Sequence, residues 1–268
     1  MYRFGWFSSG RDEAARELLR AACDCIAKGH MKAEISFVFS SREPGESPES
    51  DLFLKDVEDY RIPLVCYSYQ KFKTGKEKGG KTTGLPDWRM EYDRQVMARL
   101  CRFHPDLCIL AGYMLIAGRE MCLKYNMVNL HPAAPGGPAG TWQEVIWQLI
   151  RSGAGVTGVM MHLVTPELDK GPVVTYCTFP IHGGRFEAQW QALEGRNIED
   201  IIKHQGEKNA LFRSVRAEGF KREIPLILTT MKAFSQGRVK IAAGRVVDAC
   251  GKPVPGCDLT AEIDECIK

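Results

Sequence analysis

The chain has 268 residues, 44% of them apolar and 26% charged, with a formal net charge of +3. That length can bury one sizeable core, or one domain with an appendage, and the balance is that of an ordinary soluble globular protein. The charge is too small and too scattered to argue for nucleic acid, and no apolar run approaches the roughly 20 residues of a membrane span, so neither partner is expected.

Residues 2–7 form a short apolar run that Ser8-Ser9-Gly10 stops. From Asp12 the pattern turns helical, with Ala15, Leu18, Leu19, Ala22, Cys25 and Ile26 on one face and Gly29 as a stop. A strand over 35–40, a Ser/Pro/Glu-rich loop, a second helix and a strand over 62–67 follow. Residues 71–87 break the rhythm with Lys71, Lys73, Lys76, Lys78 and Lys81 among glycines, an insertion read as a solvated hairpin or as a flap steering an anion. A helix over 88–103 leads into 107–114, apolar enough for a central strand covered on both faces, and then a shorter strand over 127–130. Thr141-Trp142-Gln143-Glu144 is a capping box opening a helix with Val145, Ile146, Leu149 and Ile150 as its apolar stripe. Strands over 156–164 and 173–179, a charged helix over 198–218, two short strands (239–242 and 245–248), a turn and a small helix complete the chain. Strand and helix alternating in this way imply an α/β fold with a doubly wound, mostly parallel sheet.

The ten cysteines contain no C-x-x-C pair, and Cys66, Cys108 and Cys177 lie inside apolar runs, where free cysteine acts as a small hydrophobe. Cys250, Cys257 and Cys266 have no close fourth ligand. A reduced, cytoplasmic protein with no metal and no signal peptide is the expectation.

The chemistry concentrates in three segments: Asn129-Leu130-His131-Pro132, the stretch ending at His162, and Pro166-Glu167-Leu168-Asp169-Lys170-Gly171. Strand side chains alternate with period 2, so Asn129 and His131 would project from one face of a short strand. An amide and an imidazole so placed can donate to a developing oxyanion and pass a proton, which attack of an amine on a carbonyl requires. Taken singly, each has a plainer reading: a turn-capping Asn, a satisfied core His, an Asx turn.

The run Pro105 to Met114 (P-D-L-C-I-L-A-G-Y-M), then V-N-L-H-P, then G-V-x-x-H-L-V-T-P-E-L-D-K-G-P-V-V, resembles the folate-dependent formyltransferases, nearest to their phosphoribosylglycinamide branch. The resemblance covers residues 1 to 212, with 213–268 left as a C-terminal extension. It implies a Rossmann-like fold and 10-formyltetrahydrofolate as formyl donor. It implies Asn129, His131 and Asp169 as the catalytic set, with Asp169 raising the pKa of a protonated His131 and His162 supporting the network. For the donor it implies Arg89, Met114, Leu115, Ile116, Ala117, Asn129, His162, Thr165, Glu167, Leu168 and Asp169. On the acceptor side the candidates are Gly10, Arg11, Asp12 and Glu207. There the chain departs from its family: Ser8-Ser9-Gly10-Arg11-Asp12-Glu13 replaces a glycine-rich phosphate turn, Leu115 replaces an arginine, and the loop 133–140 is altered. Arg11 would bind a phosphate in place of the lost turn, or Asp12 and Glu13 are ordinary first-turn carboxylates, or these two line the pocket and repel phosphate in favour of a neutral or cationic amine; the phosphorylated acceptor is the first expectation. The expected activity is formyl transfer to a small-molecule primary amine, phosphoribosylglycinamide first. The alternatives are another amine such as an amino sugar, hydrolysis of 10-formyltetrahydrofolate, and a non-enzymatic folate binder. Whether the chain forms a homodimer is left open.

Overall fold

A computed structural model describes residues 1–74, 85–167 and 169–268. In chain order the first half comprises β1 (Tyr2–Ser8), α1 (Glu13–Ala27), β2 (Ala33–Ser40), α2 (Pro48–Asp59), β3 (Leu64–Cys66), α3 (Tyr69–Lys73), α4 (Asp87–Arg99), β4 (Leu107–Leu110) and α5 (Arg119–Lys124). The second half comprises β5 (Met127–His131), α6 (Trp142–Arg151), β6 (Val156–Leu163), β7 (Val173–Pro180), α7 (Glu187–Gln191), α8 (Ile198–Gln205), α9 (Ala210–Ser235), β8 (Val239–Ala242), β9 (Arg245–Asp248), β10 (Cys257–Asp258) and α10 (Thr260–Cys266).

Eight strands form one sheet in the order β10-β7-β6-β5-β4-β1-β2-β3, and β8 and β9 make a separate ribbon. The sheet is parallel except where β6 pairs antiparallel with both β5 and β7. The chain winds outward from β1 to β3 and returns to β4 on the other side of β1. The crevice beyond the carboxyl ends of β1 and β4 is therefore the topological switch point, where open α/β sheets bind ligands.

The central strands are apolar throughout because both faces are covered. Phe4, Trp6, Ile109 and Val128 face α1 and α9, while Phe7, Cys108, Leu110 and Met127 face Tyr92, Val96 and Met97 of α4. Each large side chain so enclosed contributes about 1.5–3 kcal/mol. A third cluster joins α6, α8 and α9 through Val145, Ile201 and Phe212.

Two local expectations change. The strand expected over 107–114 ends at Leu110, because Gly112 takes φ +71 and turns the chain back, its carbonyl accepting from Ser9 N. The helix expected over 198–218 is divided. Gly206 (φ +49) stops α8, and Asn209 caps α9 by accepting from Phe212 N at 3.1 Å. From there α9 continues through Pro225 to Ser235, so residue 212 lies inside a continuous helix, and β10 beyond it extends the main sheet along β7. In the lysine-rich insertion, Lys71 pairs with Glu43 at 2.7 Å, whereas Lys76, Lys78 and Lys81 lie outside the described residues. No helix among the described residues is long and apolar enough to cross a membrane.

Candidate active site

The carboxyl end of β5 carries Asn129 and His131, and the antiparallel register of β6 sets His162 directly opposite Asn129. Asn129 Nδ2 donates to His162 Nε2 at 3.3 Å, and His162 Nδ1 donates to the Leu163 carbonyl at 3.1 Å. His131 Nε2 donates to the Pro138 carbonyl at 2.9 Å, which leaves Nδ1 as the basic nitrogen. Both imidazoles are buried, their centroids 6.0 Å apart and their planes nearly perpendicular.

Asp169 reaches the same point from the β6–β7 loop. It takes φ +55, a left-handed conformation that Asp tolerates better than most residues. Gly171 makes the loop's return feasible, since a Cβ there would overlap the Leu163 carbonyl oxygen, and Leu163 N donates to Pro172 O at 2.8 Å. The Asp169 carboxylate accepts from Gly140 N at 3.3 Å and lies 3.5 Å from His162 Nε2 and 3.7 Å from His131 Nδ1. Burial pushes the Asp169 pKa up, but a hydrogen bond from His162, the charge His131 carries when protonated and the Gly140 amide outweigh it and hold the group below the usual carboxylate range.

The expectation that Asp169 raises the His131 pKa meets a stronger opposing effect in the fold. Burial pulls its pKa below the ordinary value, and the Pro138 carbonyl and Asp169 oppose that pull without reversing it. A neutral His131 with Nδ1 turned toward a carboxylate is arranged to accept a proton, the resulting cation being stabilised where it forms.

Met114, Leu115, Ile116 and Ala117 run from the switch point toward α5. Met114 is exposed, Leu115 and Ile116 are half-buried and Ala117 is buried. Met114 N donates to Ser9 Oγ at 3.3 Å, tying this stretch to the β1–α1 turn. Arg89 stands behind the stretch rather than on it: it is 3% exposed and ion-pairs with Asp93, whose other oxygen accepts from Gly118 N at 2.6 Å. Burial raises the Asp93 pKa against the pull of Arg89. Arg89 Nε and Nη2 are buried with no hydrogen-bond partner among the described residues. Thr165 Oγ1 donates to the Glu167 carbonyl at 3.0 Å, shaping the loop before Asp169, and Leu168 lies outside the described residues.

On the acceptor side, Gly10 is buried at φ +55, and a Cβ on it would come within 2.6 Å of Phe53. Gly10 N donates to Ser8 Oγ, and Ser50 Oγ donates to the Ser9 carbonyl, so α2 closes this turn from behind. Arg11 and Asp12 are exposed beside each other, with Nε to Oδ2 at 3.7 Å. Glu207 is exposed after α8 and accepts from Gln143 Nε2 at 3.3 Å, near the start of α6. Sequence reasoning missed Trp142, Arg216 and Glu223: Arg216 lies over the Trp142 ring and ion-pairs with Glu223. It also missed Asp93, which the i,i+4 spacing from Arg89 on a helix could have suggested.

Known proteins resemble this chain in sequence and in fold. A family model described as formyl transferase matches residues 13–185. The Escherichia coli (strain K12) phosphoribosylglycinamide formyltransferase is 31% identical over 103 residues, covering 38% of this chain and 48% of the relative. The Haemophilus influenzae formyltetrahydrofolate deformylase is 26% identical over 149 residues, covering 54% and 47%. The chain thus spans about half the length of these two curated relatives. Among solved structures, a phosphoribosylglycinamide formyltransferase from Coxiella burnetii aligns with a TM-score of 0.66 at 19% identity, over 96% of this chain and 98% of that one, a likeness of fold.

Proposed function

The chain belongs to the formyl transferase family, and from that premise we propose that it transfers a formyl group from 10-formyltetrahydrofolate to a primary amine. The observation that carries this reading is the convergence of Asn129, His131 and the Asp169 carboxylate at the end of β5. The donor supplies an activated formyl carbon when bound. The residues present suit such a molecule: Met114, Leu115 and Ile116 offer an accessible apolar edge for a flat heterocycle. The pair Arg89–Asp93 fixes that edge from behind through Gly118 N.

Asn129 presents its amide to the oxygen that gains charge as the amine attacks, oriented by its bond to His162 Nε2. One good donor of this kind is worth roughly 3–4 kcal/mol. His131 receives the amine proton at Nδ1, and Asp169 stabilises the imidazolium across 3.7 Å. The same nitrogen then returns the proton to the leaving nitrogen. Proton transfer of this kind typically contributes about 10²–10⁴-fold.

Phosphoribosylglycinamide is the acceptor in the relatives' names and the first amine to test. Hydrolysis, with water in the amine's place, is the second reading, favoured by the likeness to a formyltetrahydrofolate deformylase. Donor consumption with and without a panel of primary amines, with formate assayed alongside, separates them. Transfer requires consumption to depend on the amine, whereas amine-independent formate release rejects it.

A further inference from the structure

The switch-point cleft lies between two helix amino termini, α1 after β1 and α6 after β5. Because β1, β4 and β5 are parallel neighbours, Phe7, Leu110 and Asn129 stand in one row across the sheet. The β1–α1 turn thus begins just beyond that row, two strand spacings or roughly 10 Å from the catalytic centre. An amine at His131 would extend its remote end toward that turn.

Helix amino termini ordinarily attract anions through their free N–H groups and the helix dipole. Both ends here already carry a carboxylate of the chain itself. Asp12 Oδ1 accepts from Ala15 N at 3.0 Å as the cap of α1, with Glu13 next to it. Glu144 Oε2 accepts from Thr141 N at 2.8 Å in the capping box of α6. Nearby cations are committed as well. Arg11 is drawn to Asp12 at 3.7 Å, and Arg216 is held by Glu223 and by the rings of Trp142 and Phe220. Glu223 is buried, and burial together with the charge of Asp12 pushes its pKa up while Arg216 pulls it down, which places these two carboxylates in one electrostatic neighbourhood. Two amides of the turn are also occupied: Ser9 N donates to Gly112 O and Gly10 N to Ser8 Oγ. A phosphate dianion arriving at the β1–α1 turn would meet the Asp12 and Glu13 carboxylates at the helix end and would compete with Asp12 for Arg11.

Resting on the formyl-transfer reading, we infer that the acceptor is a neutral or cationic primary amine without a phosphate at this turn, and that Asp12 is the residue that excludes the phosphate. Phosphoribosylglycinamide, the acceptor first expected from the family resemblance, is thereby displaced by non-phosphorylated amines.

Two measurements test this. The first compares kcat/KM for phosphoribosylglycinamide and for the same compound after removal of its phosphate. Wild type is expected to favour the dephosphorylated amine by about tenfold or more, and a preference for the phosphorylated one overturns the inference. Absence of donor consumption with either amine would instead count against formyl transfer. The second measurement therefore needs no turnover: inorganic phosphate is titrated by phosphorus NMR into wild type and Asp12→Gly. Glycine is tolerated at a helix cap for only a few tenths of a kcal/mol, so the variant should fold while freeing Ala15 N and removing one charge. Wild type is expected to show no saturable phosphate binding, and Asp12→Gly to gain it by about tenfold or more. Saturable binding to wild type near or below about 1 mM overturns the exclusion, and no gain in Asp12→Gly overturns the role of Asp12.

Discussion

Replacing Asp169 with Asn tests the proton path most sharply. Asparagine is nearly isosteric, can keep the acceptor for Gly140 N, and is at ease in the left-handed conformation that Asp169 adopts, so the loop should survive. What is removed is the charge 3.7 Å from His131 Nδ1. At an effective dielectric of about 20, a pair at that distance interacts by about 4 kcal/mol, which converts to roughly a 10³-fold loss of kcat if the imidazolium forms in the rate-limiting step. Donor affinity should scarcely change, because Met114, Leu115 and Ile116 are untouched. The assay is kcat at saturating donor and amine, paired with the thermal shift produced by the donor alone. A loss of less than tenfold, or a loss of donor binding that accounts for the whole effect, would refute this proton path.

Further outcomes are expected elsewhere. Asn129→Ala should lower kcat by about 10²–10³ with little change in donor KM, since the lost donor acts on charge developing in the transition state. Because the His131 pKa is lowered in the fold, the acid limb of kcat at saturating amine should fall below the ordinary imidazole value of about 6.5. With the same sign, the stability that His131 contributes is full above its unfolded pKa and is lost as pH falls through its lower folded one, which pH-dependent urea unfolding would record. Asp93→Ala leaves Arg89 buried and unpaired at a cost of about 3–5 kcal/mol, and the freed Gly118 amide should raise donor KM more than it lowers kcat. Asp93→Asn, which keeps an acceptor for Gly118 N, should recover much of that KM. Gly171→Ala should destabilise by at least about 2 kcal/mol, seen as a lower urea midpoint.

Much of this architecture is written locally in the sequence. The period-2 runs and the Asn129–His131 spacing place two polar side chains on one strand end, and Thr141 with Glu144 announces α6. The opposition of Asn129 and His162 is a matter of strand register, which spacing alone does not determine. The downward pull on the His131 pKa was not legible because it comes from burial, and no neighbour in sequence reports burial. Likewise Arg216, Trp142 and Glu223 meet only because α9 crosses beside α6, a tertiary contact over a long sequence separation. The length of α9 was hidden by Pro225, ordinarily a helix breaker, here carried through by packing of Leu226, Ile227, Thr230 and Met231 in the core.

Formyl transfer to an amine and hydrolysis differ in the fate of the formyl carbon. The most direct measurement follows a carbon-13 formyl label from 10-formyltetrahydrofolate by NMR, with a primary amine present and then omitted. The label is expected to appear in an N-formyl product only when the amine is present, and to stay on the donor when it is omitted. Release of the label as formate at the same rate in both reactions would contradict the account and place the chain with hydrolysis.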